Sequence, residues 1–546
     1  MEDNFESRNS NNDITGTLMK GAGILAIAGI ASKILGAVFR IPLTNMIGAE
    51  GQSYYGAAYP VYQFFYMITT AGAPVAIARM VSARVAVKDY INAQKTYVTA
   101  LRVMTVISLI SFALCFFGAY RIAVMMGNPG ATISIKAISI TLLFAPVVAA
   151  LRGYFEGYQN MKPTAVSQIG EQIIRVVIGL ALSYYFMNKS LEKAAAGATF
   201  GASAGMIAAL IIMLAIYWKN SKIRHTHLEQ SIKVKESHSD RVKELFSIII
   251  PITIGSSVLP IMLVIDSMII MRRLQATGWS LATSKQLYGL ISGFCDPLIN
   301  LPAVFVDAIT VSMIPAVTTA FVLRNRAEIG RSVRAGFKSM MVISFPCAIG
   351  LVVLAQPILH LLYHNKIDEA DMAVTTLQLL SLSIIPMSAM RTLSSCIQGL
   401  GKMRLPVITL MIGALVKIIC TYIFVGIPSL NINGAAVGSI CAYTTTFVLN
   451  YLALRKISKV NLNLSVTFIK PMIAALLMGI FAFLIYKLGM MATGINLFAT
   501  ALSILSAMIL YFVFVFKTNS VSKEEIALIP KGDKIYDLAV KLKIAK

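Results

Sequence analysis

Two basic residues lie deep in the first apolar segment of this 546-residue chain, where a buried charge is costly. Lys33 and Arg40 are seven residues apart, so a helix places them on one face with about 10 Å between their positions. Such a stripe can contact an anion at two successive depths. The alternative is that each side chain extends to the nearest lipid headgroups. Lys33 lies too deep to do so easily, and we therefore predict that this pair binds an anionic substrate.

A polar face is predicted for the apolar segment 163–187. Gln168, Glu171, Gln172 and Arg175 recur three and four residues apart, which places all four on one side of a helix. Because this side is too polar to contact lipid, we predict that it lines the substrate-binding cavity. Glu171 and Arg175 are also an i,i+4 pair, and mutual neutralisation is an equally good explanation for these two residues.

Two further cations lie in later apolar segments. Lys417 occupies a position similar to that of Arg175, but its own helix offers no acidic partner, so we predict that it binds substrate. Arg391 either lines the same cavity or binds phosphates of the inner leaflet. Its segment is rich in small polar residues, namely Ser388, Ser394, Ser395 and Gln398.

Three carboxylates in apolar segments are candidates for ion coupling. Asp266 lies in the seventh segment, and Asp296 and Asp307 lie in the eighth. The amide of Asn300 lies on a similar face of the eighth segment and is a further candidate ligand. Carboxylates within a membrane bind Na⁺ or exchange protons, and they also pair with Lys or Arg across a cavity. The sequence leaves both roles open, and it does not choose between Na⁺, H⁺ and the membrane potential as a driving force.

No catalytic, metal or cofactor site is predicted. His360 and His364 lack the HExxH pattern and neighbouring cysteines, and the six cysteines fall singly in apolar stretches. The sequence contains no Walker A motif, so we do not expect ATP to drive the chain directly. We expect that this protein is not an enzyme.

The composition predicts an all-α integral membrane protein. Hydrophobic residues make up 57% of the chain and charged residues 13%, with a mean hydropathy of +0.75. The long segments are almost uniformly apolar, which favours helices over barrel strands. About fourteen membrane-spanning helices are expected, at 18–46, 54–78, 97–120, 131–151, 163–187, 194–218, 244–271, 285–320, 335–358, 373–398, 405–426, 433–454, 466–488 and 493–516.

The basic residues are unevenly distributed between alternate loops. The chain has 48 Lys and Arg against 24 Asp and Glu, a formal net charge of +24. With a cytoplasmic N-terminus, the inner loops hold roughly three times as many Lys and Arg as the outer loops. We therefore predict a multi-pass protein of the bacterial plasma membrane with both termini in the cytoplasm. Because no polar domain is long enough for a nucleic-acid module, nucleic acid is not an expected partner.

Internal repeats predict two parallel lobes of six helices each, related by an axis along the membrane normal. The glycine pair Gly197 and Gly201 recurs about 240 residues later as Gly434 and Gly438. Two extra helices follow the second lobe. The predicted ranges are 1–17 for a disordered cytoplasmic N-terminus, 18–218 for the N-lobe, 219–243 for a cytoplasmic linker, 244–459 for the C-lobe, 460–516 for helices 13 and 14, and 517–546 for a cytoplasmic tail.

Several segments resemble those of the multidrug/oligosaccharidyl-lipid/polysaccharide (MOP) exporter superfamily. The chain is most similar to its lipid II flippase (MurJ-type), stage V sporulation protein B and polysaccharide biosynthesis protein branches. The segments that carry the resemblance are 32–36 (SKILG), 40–42 (RIP), 47–49 (IGA), 152–168 (RGYFEGYQNMKPTAVSQ), 287–289 (LYG) and 300–302 (NLP).

The resemblance implies a flippase that moves an undecaprenyl-pyrophosphate-linked glycan precursor from the inner to the outer leaflet by alternating access. Lipid II for peptidoglycan is the first expectation, in the cell wall or the spore cortex. The basic residues of the family's first helix correspond to Lys33 and, with a one-residue shift, Arg40. Other arginines of the family fall near Tyr66 and at Pro297 here, so they are not reproduced. The two extra helices would form a groove for the polyprenyl tail, and membrane lipids and cell-wall synthesis proteins are the implied partners.

Three alternatives remain at the level of sequence. One is an exporter of another polysaccharide lipid intermediate, and a second is a MATE-like antiporter that exchanges organic cations for Na⁺ or H⁺. The antiporter would favour an acidic cavity and needs only twelve helices. The third is a membrane scaffold for cell-wall synthases that does no transport. It would not require Lys33 or Lys417 to lie within spans.

Overall fold

The computed structural model describes residues 3–232, 234–463, 465–517 and 541. Within these ranges the secondary structure is entirely helical, as predicted. The first nine helices are α1 Asp3–Thr70, α2 Ala73–Ala86, α3 Tyr90–Met125, α4 Thr132–Ser139, α5 Thr141–Gly157, α6 Lys162–Met187, α7 Leu191–Lys219, α8 Ser221–Glu229 and α9 His238–Ala276. The next ten are α10 Leu281–Gly289, α11 Asp296–Val322, α12 Arg326–Val353, α13 Ala355–Leu362, α14 Ile367–Leu382, α15 Ile384–Gly399, α16 Arg404–Val425, α17 Asn433–Ser458, α18 Lys470–Thr493 and α19 Asn496–Lys517.

The described residues contain 13 helical stretches that are long and apolar enough to cross a membrane. The first, Gly23–Ala86, has 64 residues and covers both the first and the second predicted span. A straight helix of that length would measure about 96 Å, roughly three times the thickness of the hydrocarbon core. The remaining twelve stretches correspond one to one with predicted spans. The predicted fold class is thus confirmed.

Helix α1 folds back on itself at Gly48. This glycine has φ 62° and ψ −171°, a conformation that residues with a Cβ rarely adopt. Across the bend, Gln52 donates a side-chain hydrogen bond to Thr44 Oγ1 at 2.8 Å. The residues before and after the bend therefore lie beside each other. Helix α1 thus contributes to both the first and the second predicted span.

The chain divides into two compact units, residues 1–268 and 269–546. In unit 1, α6 packs closely against α7 through glycines. A Cβ on Gly201 would lie 2.6 Å from the Arg175 carbonyl oxygen, and one on Gly205 would collide with the Glu171 carbonyl oxygen. This packing leaves no room for larger residues on α7, and it fixes the position of the polar face of α6.

Unit 2 has a separate core formed by α11, α12, α15, α17 and α18. Its buried side chains include Phe337, Phe345 and Leu393. Gly434 and Gly438 of α17 pack against α16, as Gly197 and Gly201 of α7 pack against α6. The predicted repeat is therefore visible in the packing of both units.

A turn is also repeated in the two units. Lys88 follows α2 with φ 58°, and Arg324 follows α11 with φ 53°. The next residue caps the following helix in both cases. Asp89 accepts a hydrogen bond from the Asn92 N–H at 3.2 Å, and Asn325 accepts one from the Glu328 N–H at 3.1 Å.

The predicted linker 219–243 contains α8, and Ile232 and Val234 beyond it contact the turn between α2 and α3 and the start of α3. The Ile232 N–H donates to the Lys88 carbonyl at 3.1 Å, and Asn92 Nδ2 donates to the Val234 carbonyl at 2.8 Å. Arg84 forms ion pairs with Glu236 and Glu244. The division between the units falls after Met268, inside α9. The six-helix lobe boundaries stay a prediction.

The two predicted tails are described only in part. Helix α1 begins at Asp3, so it runs through residues 3–17 of the stretch predicted as disordered. In the predicted C-terminal tail 517–546, residues 518–540 and 542–546 lie outside the described residues.

Candidate functional site

Four tyrosines form a continuous row on the second arm of α1. Tyr55, Tyr59, Tyr62 and Tyr66 are spaced four, three and four residues apart, which places them on one helix face. Successive ring centroids are separated by 6.0, 6.0 and 5.3 Å. We call these four residues the tyrosine ladder. This row was not predicted from the sequence, although the helical spacing of the tyrosines was a visible signal.

Two guanidinium groups lie over the N-terminal end of the tyrosine ladder, at Tyr55 and Tyr59. Arg40 Cζ is 5.8 Å from the ring centroids of both Tyr55 and Tyr59. Arg175 Cζ is 5.3 Å from the Tyr59 centroid, and its Nη2 donates to the Tyr55 hydroxyl at 3.2 Å. These distances fall within the range of cation–π attraction. Tyr59 therefore contacts two positive charges at once.

The bend in α1 is what brings Arg40 to the tyrosine ladder. Along a straight helix, Arg40 and Tyr55 would be about 22 Å apart, far beyond the reach of an arginine side chain. The fold-back at Gly48 places them in contact. Lys33 lies two turns before Arg40 on the first arm, and its side chain is exposed.

The predicted ion pair between Glu171 and Arg175 is replaced by a longer-range pair. Glu171 Oε2 accepts from Arg152 Nη2 at 2.9 Å, and Arg152 Nε donates to Ser167 Oγ at 3.0 Å. The side chains of Arg152 and Glu171 are only 11% and 18% exposed, so the pair is largely shielded. Arg175 instead contacts Tyr55 and Tyr59. Local spacing could not reveal Arg152 as the partner, because it lies on the preceding helix, α5.

The two glutamines of the α6 face differ in their surroundings. Gln168 Oε1 is buried and has no hydrogen-bond partner among the described residues. Gln172 is half-buried on the same face. A buried amide oxygen without a hydrogen-bond donor is energetically unfavourable, so Gln168 carries an uncompensated polar group on this face.

The two predicted cations of unit 2 occupy different environments. Arg391 Nη1 pairs with Asp307 Oδ1 at 2.6 Å, which joins α15 to α11, and the two side chains remain 32% and 35% exposed. Lys417 is only 5% exposed inside unit 2. Of the two roles that the sequence left open for Asp307, the structure shows pairing with a cation. Lys417 lies in the interior of unit 2.

The other acidic candidates are Asp266 in unit 1 and Asp296 in unit 2. Asp266 is half-buried in unit 1. Asp296 begins α11 directly after an irregular π-helical turn at Leu290–Cys295, and its carbonyl accepts from Asn300 Nδ2 at 2.8 Å. Such turns often occur at functional sites. In the described part of the chain, no group of three His, Cys, Asp or Glu residues could hold a metal ion.

Two protein families match most of the chain between them. The polysaccharide biosynthesis protein family matches residues 18–321, and the lipid II flippase MurJ family matches residues 172–513. Each match covers more than half of the chain. The chain belongs to the MurJ and polysaccharide biosynthesis families.

This MurJ-family chain is similar to three proteins of Bacillus subtilis (strain 168). It is 29% identical over 445 residues to the uncharacterized membrane protein YabM, covering 80% of both chains. It is 25% identical to lipid II flippase MurJ, covering 80% of this chain and 82% of the relative. It is also 25% identical to stage V sporulation protein B, covering 82% and 85%.

Solved structures show the same fold for the MurJ-family chain. Lipid II flippase MurJ in an inward closed conformation superposes with a TM-score of 0.64 at 16% identity, covering 89% of this chain and 97% of that one. An inward-facing MATE family multidrug resistance transporter of the MOP superfamily gives 0.65 at 14% identity, covering 78% and 94%. The family matches confirm the resemblance inferred from sequence, and this is a multi-pass membrane protein of a transporter family.

Proposed function

We propose that this protein moves an undecaprenyl-pyrophosphate-linked saccharide from the inner to the outer leaflet of the bacterial plasma membrane. Lipid II is the first candidate cargo, because one relative is a lipid II flippase and that family matches the chain. Both termini are proposed to lie in the cytoplasm. The observation that carries the proposal is the pair of guanidinium groups, Arg40 and Arg175, at the tyrosine ladder.

The two arginines suit the pyrophosphate. A guanidinium has five N–H donors in a planar fork that matches phosphate oxygens, and Arg175 directs one of them to Tyr55. Contact with an aromatic face leaves the in-plane donors directed outward. Two adjacent positive charges can therefore bind the two phosphates of one headgroup, whereas they would repel an organic cation.

The tyrosine ladder suits the saccharide. Each ring offers a flat apolar surface, and its hydroxyl group both donates and accepts hydrogen bonds. A sugar has the same dual character, with C–H groups on its faces and hydroxyls at its edge. The ladder continues from the arginines to Tyr66, so the sugars would follow the pyrophosphate along α1. The family's arginine falls near Tyr66, and this chain has an aromatic ring there instead.

Only the headgroup of the proposed cargo needs a binding site to cross the membrane, because the lipid tail can stay in the bilayer. Charged phosphates and sugar hydroxyls lose their hydration in hydrocarbon, which is a large barrier to crossing, whereas a polyprenyl chain stays within the lipid. A basic and aromatic surface replaces the lost water contacts. Exposure of this surface to each side of the membrane in turn would complete the transfer.

Reconstitution in liposomes tests the proposal. Fluorescent lipid II and a teichoic-type lipid-linked precursor are supplied in separate arms, and movement between leaflets is measured with a membrane-impermeant quencher. We expect transfer of at least one cargo, and Arg175→Gln should lower its rate by about tenfold or more, since a hydrogen bond to a charged group contributes about 1.5–3 kcal/mol. Arg121→Gln, an exposed arginine at the end of α3, is the matched control.

Two outcomes would contradict the proposal. Transfer of neither cargo would rule out the flippase, and equal rates for Arg175→Gln and Arg121→Gln would rule out the tyrosine ladder as the binding site. Movement of the teichoic-type precursor alone would retain the proposed reaction and change the cargo to another polysaccharide intermediate.

We also propose Asp296 as the position at which an ion gradient acts. It borders the π-helical turn before α11, where the backbone hydrogen-bond pattern departs locally from that of an α-helix. Asp296→Asn should abolish any response of transport to an imposed Na⁺ or H⁺ gradient, measured in the same liposomes. Asp240→Asn, in the first turn of α9, is the control. A gradient response that persists in Asp296→Asn would refute this role.

A further inference from the structure

A cavity with basic walls opens at one end of unit 2. Its volume is about 260 Å³, and the ends of α11 and α17 and the beginning of α12 surround it. Arg324, Arg326 and Lys459 supply its charged lining, together with the hydroxyl-bearing Ser458. The rest of the lining is apolar and includes Phe321. We call this the basic cavity, and it plays no part in the function proposed above.

Two tight turns hold the three cations around the basic cavity. Arg324 has φ 53° and Lys459 has φ 56°, and both follow the last turn of a long helix. Non-glycine residues in this conformation are strained and are enriched at functional sites. Arg326 is the first residue of α12, where backbone N–H groups add positive potential.

None of the three cations has an ion-pair partner in the part of the chain that the structure describes, and none of the lining residues is acidic. The nearest acid on α12, Glu328, pairs with Arg331 at 3.5 Å and does not line the cavity. Three like charges around one space repel each other unless an anion lies between them. The basic cavity therefore has the electrostatics of an anion site.

In unit 1, the turn that corresponds to the one at Arg324 has an acidic side chain of the protein itself nearby. There the turn at Lys88, which matches the turn at Arg324, is covered by Ile232 and Val234. Glu236 then forms an ion pair with Arg84. In unit 2 the matching turn borders the basic cavity instead.

We propose that the basic cavity binds a phosphate ester anion. Three cations can bind the oxygens of a negatively charged phosphate group, whereas the Ser458 hydroxyl already donates to the Leu454 carbonyl at 2.8 Å. The apolar wall favours a phosphate that carries a glycerol or acyl group, as an anionic phospholipid does. A free phosphate compound shares the same charged group, so the experiment distinguishes these two sources.

Binding is measured on the purified full-length protein in a non-ionic detergent, with dioctanoyl phosphatidylglycerol, dioctanoyl phosphatidylcholine and inorganic phosphate as separate probes. The test variant is the triple substitution R324Q/R326Q/K459Q. The control is R331Q/R455Q/K456Q, which removes three exposed cations from the same two helices without touching the cavity lining. We expect the Kd for phosphatidylglycerol to rise at least tenfold in the test variant and less than twofold in the control.

The probes and a simpler variant separate the outcomes. Competition by inorganic phosphate at similar concentrations supports a free phosphate ligand, and its absence supports a lipid headgroup. Equal loss in both triple variants, no loss in either, or equal binding of phosphatidylcholine would overturn the proposal. If the triple variant fails to fold, Arg326→Gln alone leaves both strained turns intact and should raise the Kd at least threefold. An unchanged Kd in that variant would also overturn it.

Discussion

Tyr59 is the residue at which the chemistry of the candidate site is concentrated. The centre of its ring lies within 6 Å of two guanidinium groups. Arg40 supplies one from the first arm of α1, and Arg175 supplies the other from α6. Two cation–π contacts contribute about 0.5–1 kcal/mol each at partly exposed sites. The ring therefore orients both arginines, in addition to offering its own surface to a ligand.

Replacing this ring should lower transport in a way that depends on aromaticity. We expect Tyr59→Leu to reduce the rate of lipid II transfer by about fivefold or more, because both arginines lose a contact. Tyr59→Phe should stay within about twofold of wild type. Tyr185→Leu, which removes a ring 5.1 Å from Lys189 outside the site, is the control. Equal losses in Tyr59→Phe and Tyr59→Leu would assign the effect to the hydroxyl group instead.

The pair Arg152–Glu171 should show the behaviour of a shielded ion pair. Arg152→Gln leaves Glu171 without its partner, and we expect the unfolding free energy to fall by about 2 kcal/mol or more. The double variant Arg152→Gln with Glu171→Gln removes both charges and should recover much of that loss. Thermal unfolding in detergent measures both. A double variant less stable than Arg152→Gln would contradict this account.

At the scale of elements, the packing of α7 against α6 controls where Arg175 points. A methyl group on Gly201 would lie 2.6 Å from the Arg175 carbonyl oxygen, closer than atoms can approach. Gly201→Ala should therefore displace α6, lower stability by about 1–3 kcal/mol and reduce transport. In Gly118→Ala the nearest atom is 3.6 Å away, so this variant should resemble wild type in both assays. Similar effects of the two substitutions would show that helix packing at Gly201 is not critical.

The sequence predicted elements better than contacts, for a physical reason. Long apolar segments must be helical in a membrane, so the spans could be found from composition alone. The partner of Glu171 could not, because Arg175 is its neighbour along the helix whereas Arg152 becomes its neighbour only after α5 packs beside α6. Arg40 was correctly selected as an intramembrane cation, but its contact with Tyr55 requires the bend at Gly48.

At the scale of the whole molecule, the two units share a repeated turn, at Lys88 in unit 1 and at Arg324 in unit 2. They differ in what covers this turn. Residues 231, 232 and 234–236 cover the turn of unit 1, and the ion pairs of Arg84 hold them there. Glu236→Gln should release these residues, which would raise amide hydrogen exchange at Ile232, whose N–H donates to the Lys88 carbonyl, by about tenfold or more. Glu229→Gln, an exposed acid at the end of α8, is the control. Unchanged exchange in Glu236→Gln would show that backbone hydrogen bonds alone fix these residues.

The bend at Gly48 has a consequence for biogenesis. The first arm of α1 carries Lys33 and Arg40, and each such charge at mid-membrane disfavours translocon-mediated insertion by about 2.5–3.5 kcal/mol. Arg40 gains its aromatic contacts only when the arm that contains Tyr55 and Tyr59 is also present. The two arms should therefore leave the ribosome and enter the bilayer together, as a helical hairpin, and the nascent chain should commit to its topology only after the second arm has been synthesised.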